Sequence, residues 1–146
     1  MLAKKKVILI GKKNAEGSCS TAIKVNDHVY FSGLVCDNTD LEKSFEDQII
    51  YLLDYLKYAL EDIDLTINHI VKMTIYLTNI DQKHLLDNYL ERYFDDPLPA
   101  LTVLGCYSIE KNANILLDAH AIDTSDQDFE LNPCLGCGDY CGVPQL

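Results

Sequence analysis

Between residues 42 and 78 the period of the hydrophobic pattern changes, and that change limits the folds open to this chain. Across residues 42–63, Phe45, Ile49, Leu52, Leu53, Leu56, Leu60 and Ile63 recur at steps of three and four, which gathers them on one stripe of a long helix. Residues 70–78 then alternate, with Val71, Met73, Ile75 and Leu77 on one side and Lys72, Thr74 and Tyr76 on the other. That is a strand with one apolar face. A helix with one apolar stripe and a strand with one apolar side share a solution, a helix laid on a sheet.

The rest of the chain fits that layering. Residues 23–25 and 29–31 alternate around Asn26-Asp27, a turn pair, and read as a hairpin after a lysine-rich opening. A second helix over about residues 82–94 carries Leu85, Leu86, Tyr89, Leu90 and Phe94, and must end where Asp95-Asp96-Pro97-Leu98-Pro99 forces extended backbone. Two more β-rich segments, 101–109 and 115–122, flank the polar turn 110–114. The expected order is β-β-α-β-α-β-β, an α+β fold with both helices on one face of a mixed sheet. A chain of 146 residues has no third layer for the other face, so a homo-oligomer whose subunits cover each other's sheets is the economical assembly. The compact domain is expected over residues 1–123. Beyond it, residues 124–146 form an acidic, then Cys- and Gly-rich extension.

Charge narrows the partners. Lysine and arginine number 12 against 23 acidic residues, a formal net charge of −11, which repels phosphate backbones and argues against nucleic acid. The apolar run Val7-Ile8-Leu9-Ile10 is too short for a signal-peptide core or a membrane span. The expectation is a cytoplasmic protein with reduced thiols and no membrane partner.

Four stretches carry a family resemblance: Val29-Tyr30-Phe31-Ser32-Gly33; Ile70-Val71-Lys72-Met73-Thr74-Ile75-Tyr76-Leu77-Thr78-Asn79; Tyr93-Phe94 running into Pro97-Leu98-Pro99-Ala100; and Leu116-Leu117-Asp118-Ala119-His120-Ala121. In this order and spacing the chain resembles the reactive-intermediate deaminase family, also called RidA-like, YjgF-type or endoribonuclease L-PSP, over residues 16–122. The resemblance implies a chorismate-mutase-like α+β fold assembled as a homotrimer, with a small-molecule cleft at each subunit interface. It also implies hydrolysis of 2-imino acids to 2-keto acids and ammonia, with no metal or cofactor in the core domain.

Such chemistry needs a cation for the substrate carboxylate, polar groups to place a water, and a carboxylic acid to shuttle its proton. The family's Pro-Ala-Arg reads Pro99-Ala100-Leu101 here, and the one arginine of the chain, Arg92, lies on the second helix. Losing a charge-assisted bidentate contact costs about 1.5–3 kcal/mol, on the order of ten- to a few hundredfold in carboxylate binding. By the same alignment, Cys19 replaces a cleft tyrosine, Ser32 is retained, Val103 replaces a cysteine, and Asp118 shortens an acidic residue. Asp118 is the candidate catalytic residue, and Cys19, Ser32, Leu101, Val103 and His120 are the candidate substrate-binding set. Asp118 and His120, two apart in a strand, share a side of the sheet, and a protonated His120 would return part of the lost charge.

Two further features lie outside the resemblance. Cys134, Cys137 and Cys141 have spacings that let thiolates share a zinc or iron ion, with Asp139, Cys36 or a neighbouring subunit as the fourth ligand. Tyr51, Tyr55 and Tyr58 form a stripe on the first helix opposite its core face. Three functions stay open at this stage. One is a hydrolase acting on C=N bonds with altered substrate, a 2-imino acid deaminase-like enzyme. The others are a catalytically inactive ligand-binding or interaction protein, and a metal or redox protein working through the tail.

Overall fold

The computed structural model describes residues 5–8 and 21–124. Six strands form one mixed sheet: β1 (Lys5–Ile8), β2 (Ala22–Val25), β3 (His28–Val35), β4 (Ile70–Leu77), β5 (Ala100–Gly105) and β6 (Ile115–Ile122). Their spatial order is β1-β2-β3-β6-β4-β5. Only β4 and β5 run parallel, because the helix α2 (Lys83–Tyr93) carries the chain back between them. The longer helix α1 (Phe45–Glu61) joins β3 to β4. Both helices bury their apolar stripes on the same face of the sheet. Among the described residues no helix is long and apolar enough to cross a membrane.

Local chemistry sets the helix ends. The sequence pattern runs from residue 42, but α1 starts at Phe45 because the Ser44 hydroxyl accepts the Asp47 N–H at 3.1 Å and leaves Ser44 extended as the cap. Glu46 and Asp47 place negative charge at the positive end of the helix dipole. Leu52, Leu53, Leu56 and Leu60 are 1% exposed or less, and each contributes about 1.5–3 kcal/mol of burial. Tyr51 and Tyr58 face solvent as their stripe predicts, whereas Tyr55 packs half-buried against the core.

The strands differ from the sequence reading in three respects. The lysine-rich opening contributes a strand, β1, which pairs antiparallel with β2 through Lys5↔Val25 to Ile8↔Ala22. β5 stops at Gly105 rather than at residue 109; Cys106 is tied to Leu77 by one backbone bond of 2.8 Å, and Tyr107 is 98% exposed. In β4, Val71 is exposed instead of sharing the apolar face with Met73, Ile75 and Leu77. The register against β6 slips between Ile70 and Lys72, so Ile70 takes the inward position and Val71 is turned out.

One buried polar residue ties the layers together. Gln48, 0% exposed on α1, accepts the backbone N–H of Asn114 at 2.8 Å and donates to Asn114 Oδ1 at 2.8 Å and to the Lys43 carbonyl at 3.0 Å. Its amide is satisfied on both ends, and it anchors the approach to β6.

Candidate functional site

The face of the sheet away from the helices carries a hollow of about 260 Å³ whose lining includes Tyr30, Ser32, Lys72, Thr74, Asp118 and His120. Register explains why these residues meet. Tyr30 pairs with His120 across β3 and β6, and on the other side of β6 Lys72 pairs with His120 and Thr74 with Asp118. Because strands alternate, all of these side chains leave the sheet on the same side.

The position of Asp118 depends on an irregularity in β3. Between Phe31 and Leu34 that strand holds one residue more than β6 does opposite, a bulge at Ser32-Gly33. Gly33 adopts φ of +65° there, a left-handed conformation that glycine takes without steric cost. The bulge turns the Gly33 N–H out of the ladder, and it donates to Asp118 Oδ1 at 2.7 Å. One carboxylate oxygen is thereby fixed, and Oδ2 has no hydrogen-bond partner among the described residues.

His120 is held from two sides. Its Nε2 lies 2.7 Å from Nδ1 of His28, and its ring stacks on Tyr30 with centroids 4.5 Å apart. Burial, and secondarily the neighbouring His28, push its pKa below the ordinary histidine value. The cation in the hollow is Lys72, a residue that the sequence reading placed on the polar side of its strand without a role. Its Nζ donates to Thr102 Oγ1 on β5 at 2.6 Å. The ion pairs among the described residues, Lys24–Asp123 and Lys83–Asp87, do not involve it.

Leu101 and Val103 lie elsewhere. In the parallel register they pair with the buried Met73 and Ile75 and pack half-buried on the helix side. Leu101 borders a separate hollow of about 200 Å³ with Asp87, Leu90, Glu91, Leu98 and Pro99. Within one chain, then, Ser32, Asp118 and His120 come together, whereas Leu101 and Val103 project from the other face of the edge strand β5. Arg92 sits on α2 over the Tyr89 ring, 5.0 Å from its centroid, in the helix layer. Cys19, Cys134, Cys137, Cys141 and Asp139 lie outside the described residues. Cys36, considered as a fourth metal ligand, is fully buried with Lys43 Nζ 3.6 Å from its sulfur. Among the described residues no three His, Cys, Asp or Glu side chains form a metal-binding group.

Fold and site together define a small α+β protein whose hollow lies on the sheet face that no described residue covers. The sequence pattern of the endoribonuclease L-PSP family matches residues 11–122, and the chain belongs to that family, the RidA/YjgF group. It is 31% identical to a RutC family protein of Aquifex aeolicus over 111 residues, covering 73% of this chain and 89% of the relative. A RutC family protein of Buchnera aphidicola is 30% identical over 110 residues, covering 72% and 86%. The crystal structure of a conserved Rid-family protein of Yersinia pestis superposes with a TM-score of 0.73 at 28% identity, covering 82% of this chain and 99% of that one.

Proposed function

We propose that the chain assembles as a homotrimer whose interfacial clefts hydrolyse the C=N bond of small imines, with Asp118 directing the attacking water. The observation that carries this reading is the Asp118 carboxylate: one oxygen is fixed by Gly33 and the other left available, beside the Ser32 hydroxyl in the hollow. In such a site Oδ2 accepts a proton from water as the water oxygen bonds to the imine carbon, and the nitrogen takes up a proton from solvent to give the carbinolamine. Asp118 then returns its proton to the nitrogen, the C–N bond breaks with loss of ammonia, and the carbonyl forms as the hydroxyl proton passes to solvent. One water is consumed, and one carbonyl and one ammonia are produced.

The surface supports an assembly. Tyr30 and Leu104, on the face away from the helices, are 46% and 49% exposed, and among the described residues β5 is an unpaired sheet edge. A second copy would cover this face and bring its own edge strand β5 to the cleft. The absence of the arginine at position 101 shifts the substrate range. A relative from Dermatophagoides farinae, 22% identical over 107 residues, is named a 2-iminobutanoate/2-iminopropanoate deaminase, which selects the first substrates to try.

The test is hydrolysis of 2-iminobutanoate, generated in the assay by a pyridoxal enzyme acting on threonine, with subunit mass followed by light scattering. The reading predicts a trimer with turnover above buffer, and Asp118→Asn lowering kcat by about 10²–10⁴-fold. A native protein without turnover that still binds 2-oxobutanoate would favour the non-catalytic, ligand-binding alternative.

A further inference from the structure

We propose that Lys72 takes over the anion-anchoring role left empty at Leu101, so that the carboxylate of a small 2-imino or 2-oxo acid binds from the β4 side of the hollow. This rests on the reading of the hollow as a small-molecule cleft.

The first argument is charge. Lys72 is a part-exposed lysine in the middle of a strand, on the same face as Asp118, and neither described ion pair supplies an acid for it. Its observed partner is a neutral hydroxyl, Thr102 Oγ1 at 2.6 Å. An ammonium has three donors. One goes to Thr102, which aims the group along the β4–β5 seam, and two remain for an anion.

The second argument is placement. Lys72 faces His120 in register, and Thr74 faces Asp118, so Lys72 and Asp118 are diagonal neighbours on adjacent strands, about 7–8 Å apart between backbones. A short 2-imino acid with its carboxylate on Lys72 places the C=N carbon toward Asp118, with room for one water on Oδ2. Thr74 borders the same hollow between the two charges. The third argument is placement of the other cation considered: Arg92 stands in the helix layer over Tyr89, whereas Lys72 lines the hollow itself.

A lysine is a compact point charge and cannot hold a carboxylate through a planar fork. Lys72 therefore anchors the anion with less control of its plane than an arginine at position 101 would exert. The preference follows from that difference: short, flexible 2-imino acids are accepted, and affinity is modest.

The experiment is isothermal titration calorimetry of the full chain with 2-oxobutanoate, alongside 2-iminobutanoate turnover, for the native protein, Lys72→Met, and Lys57→Met as a control for charge alone. Lys72→Met is expected to weaken 2-oxobutanoate binding by about ten- to a hundredfold and to raise KM similarly, with Lys57→Met unchanged. If Lys72→Met does not fold, Thr102→Val, which keeps the charge and removes the hydroxyl that aims it, is expected to weaken binding severalfold. Turnover and binding unchanged in Lys72→Met overturn the inference and leave the hydrolase reading standing. Binding that depends on Lys72 without turnover upholds the inference while the hydrolase reading fails. A native chain that does not bind 2-oxobutanoate overturns the inference.

Discussion

Replacing Gln48 by leucine tests how α1 is fastened to the strand that carries Asp118. Gln48 is fully buried, and its three hydrogen bonds join α1 to Asn114 and to the Lys43 carbonyl. Leucine nearly matches it in volume, so cavity formation contributes little and the loss is mainly polar. Three bonds at about 1 kcal/mol each, with the Asn114 N–H and the Lys43 carbonyl left short of partners, put the destabilisation at about 2–4 kcal/mol. For a domain of about 100 residues each kcal/mol lowers Tm by about 4–8 °C, so the expected loss is about 8–30 °C. Thermal unfolding by circular dichroism and urea titration read it directly. Because Asn114 stands next to the start of β6, amide exchange at Ile115 and Leu116 should also accelerate. A change below about 0.5 kcal/mol would refute the argument that this amide fastens the helix layer to the sheet.

Two predictions concern pH. The pKa of His120 is held below its ordinary value by burial and then by His28, with Lys72 and Tyr30 on either side. The unfolded chain therefore binds this proton first as pH falls, so stability is present above about pH 6.5 and declines below it. Urea midpoints at about pH 7 and pH 5 should differ, and His120→Gln should reduce the difference; an equal difference in the variant contradicts the assignment. The Tyr93 hydroxyl is pushed up to about 12 by burial, reinforced by its 2.7 Å bond to Asp54. That contribution is present below about pH 10 and lost as pH rises toward 12. Tyrosinate absorbance should show a late-titrating tyrosine that disappears in Tyr93→Phe, and its survival there would assign the shift to another residue.

Much of the fold was legible because the decisive patterns are local. The apolar stripe of α1 and the alternation of β6, whose bounds matched at both ends, follow from the sequence of those segments alone. β1 was missed because a short apolar run after lysines signals little, and its strand character comes from pairing with the edge of β2. The outward turn of Val71 depends on a register slip against β6, which sequence period cannot reveal. The site divides in the same way. That Asp118 and His120 share a side follows from alternation within one strand. That Lys72 and Tyr30 join them, and that Leu101 and Val103 face away, depends on how four strands are aligned. The lysine was visible only as one residue on the polar side of its strand, and the sheet register gives it neighbours.

Crystals of the full chain soaked with 2-oxobutanoate test the central claim most directly. The account predicts density in the hollow, enclosed between two copies of the chain, with the ligand carboxylate within hydrogen-bonding distance of Lys72 Nζ and a water on Asp118 Oδ2. An open hollow on a monomer, or a ligand bound away from both residues, would contradict it.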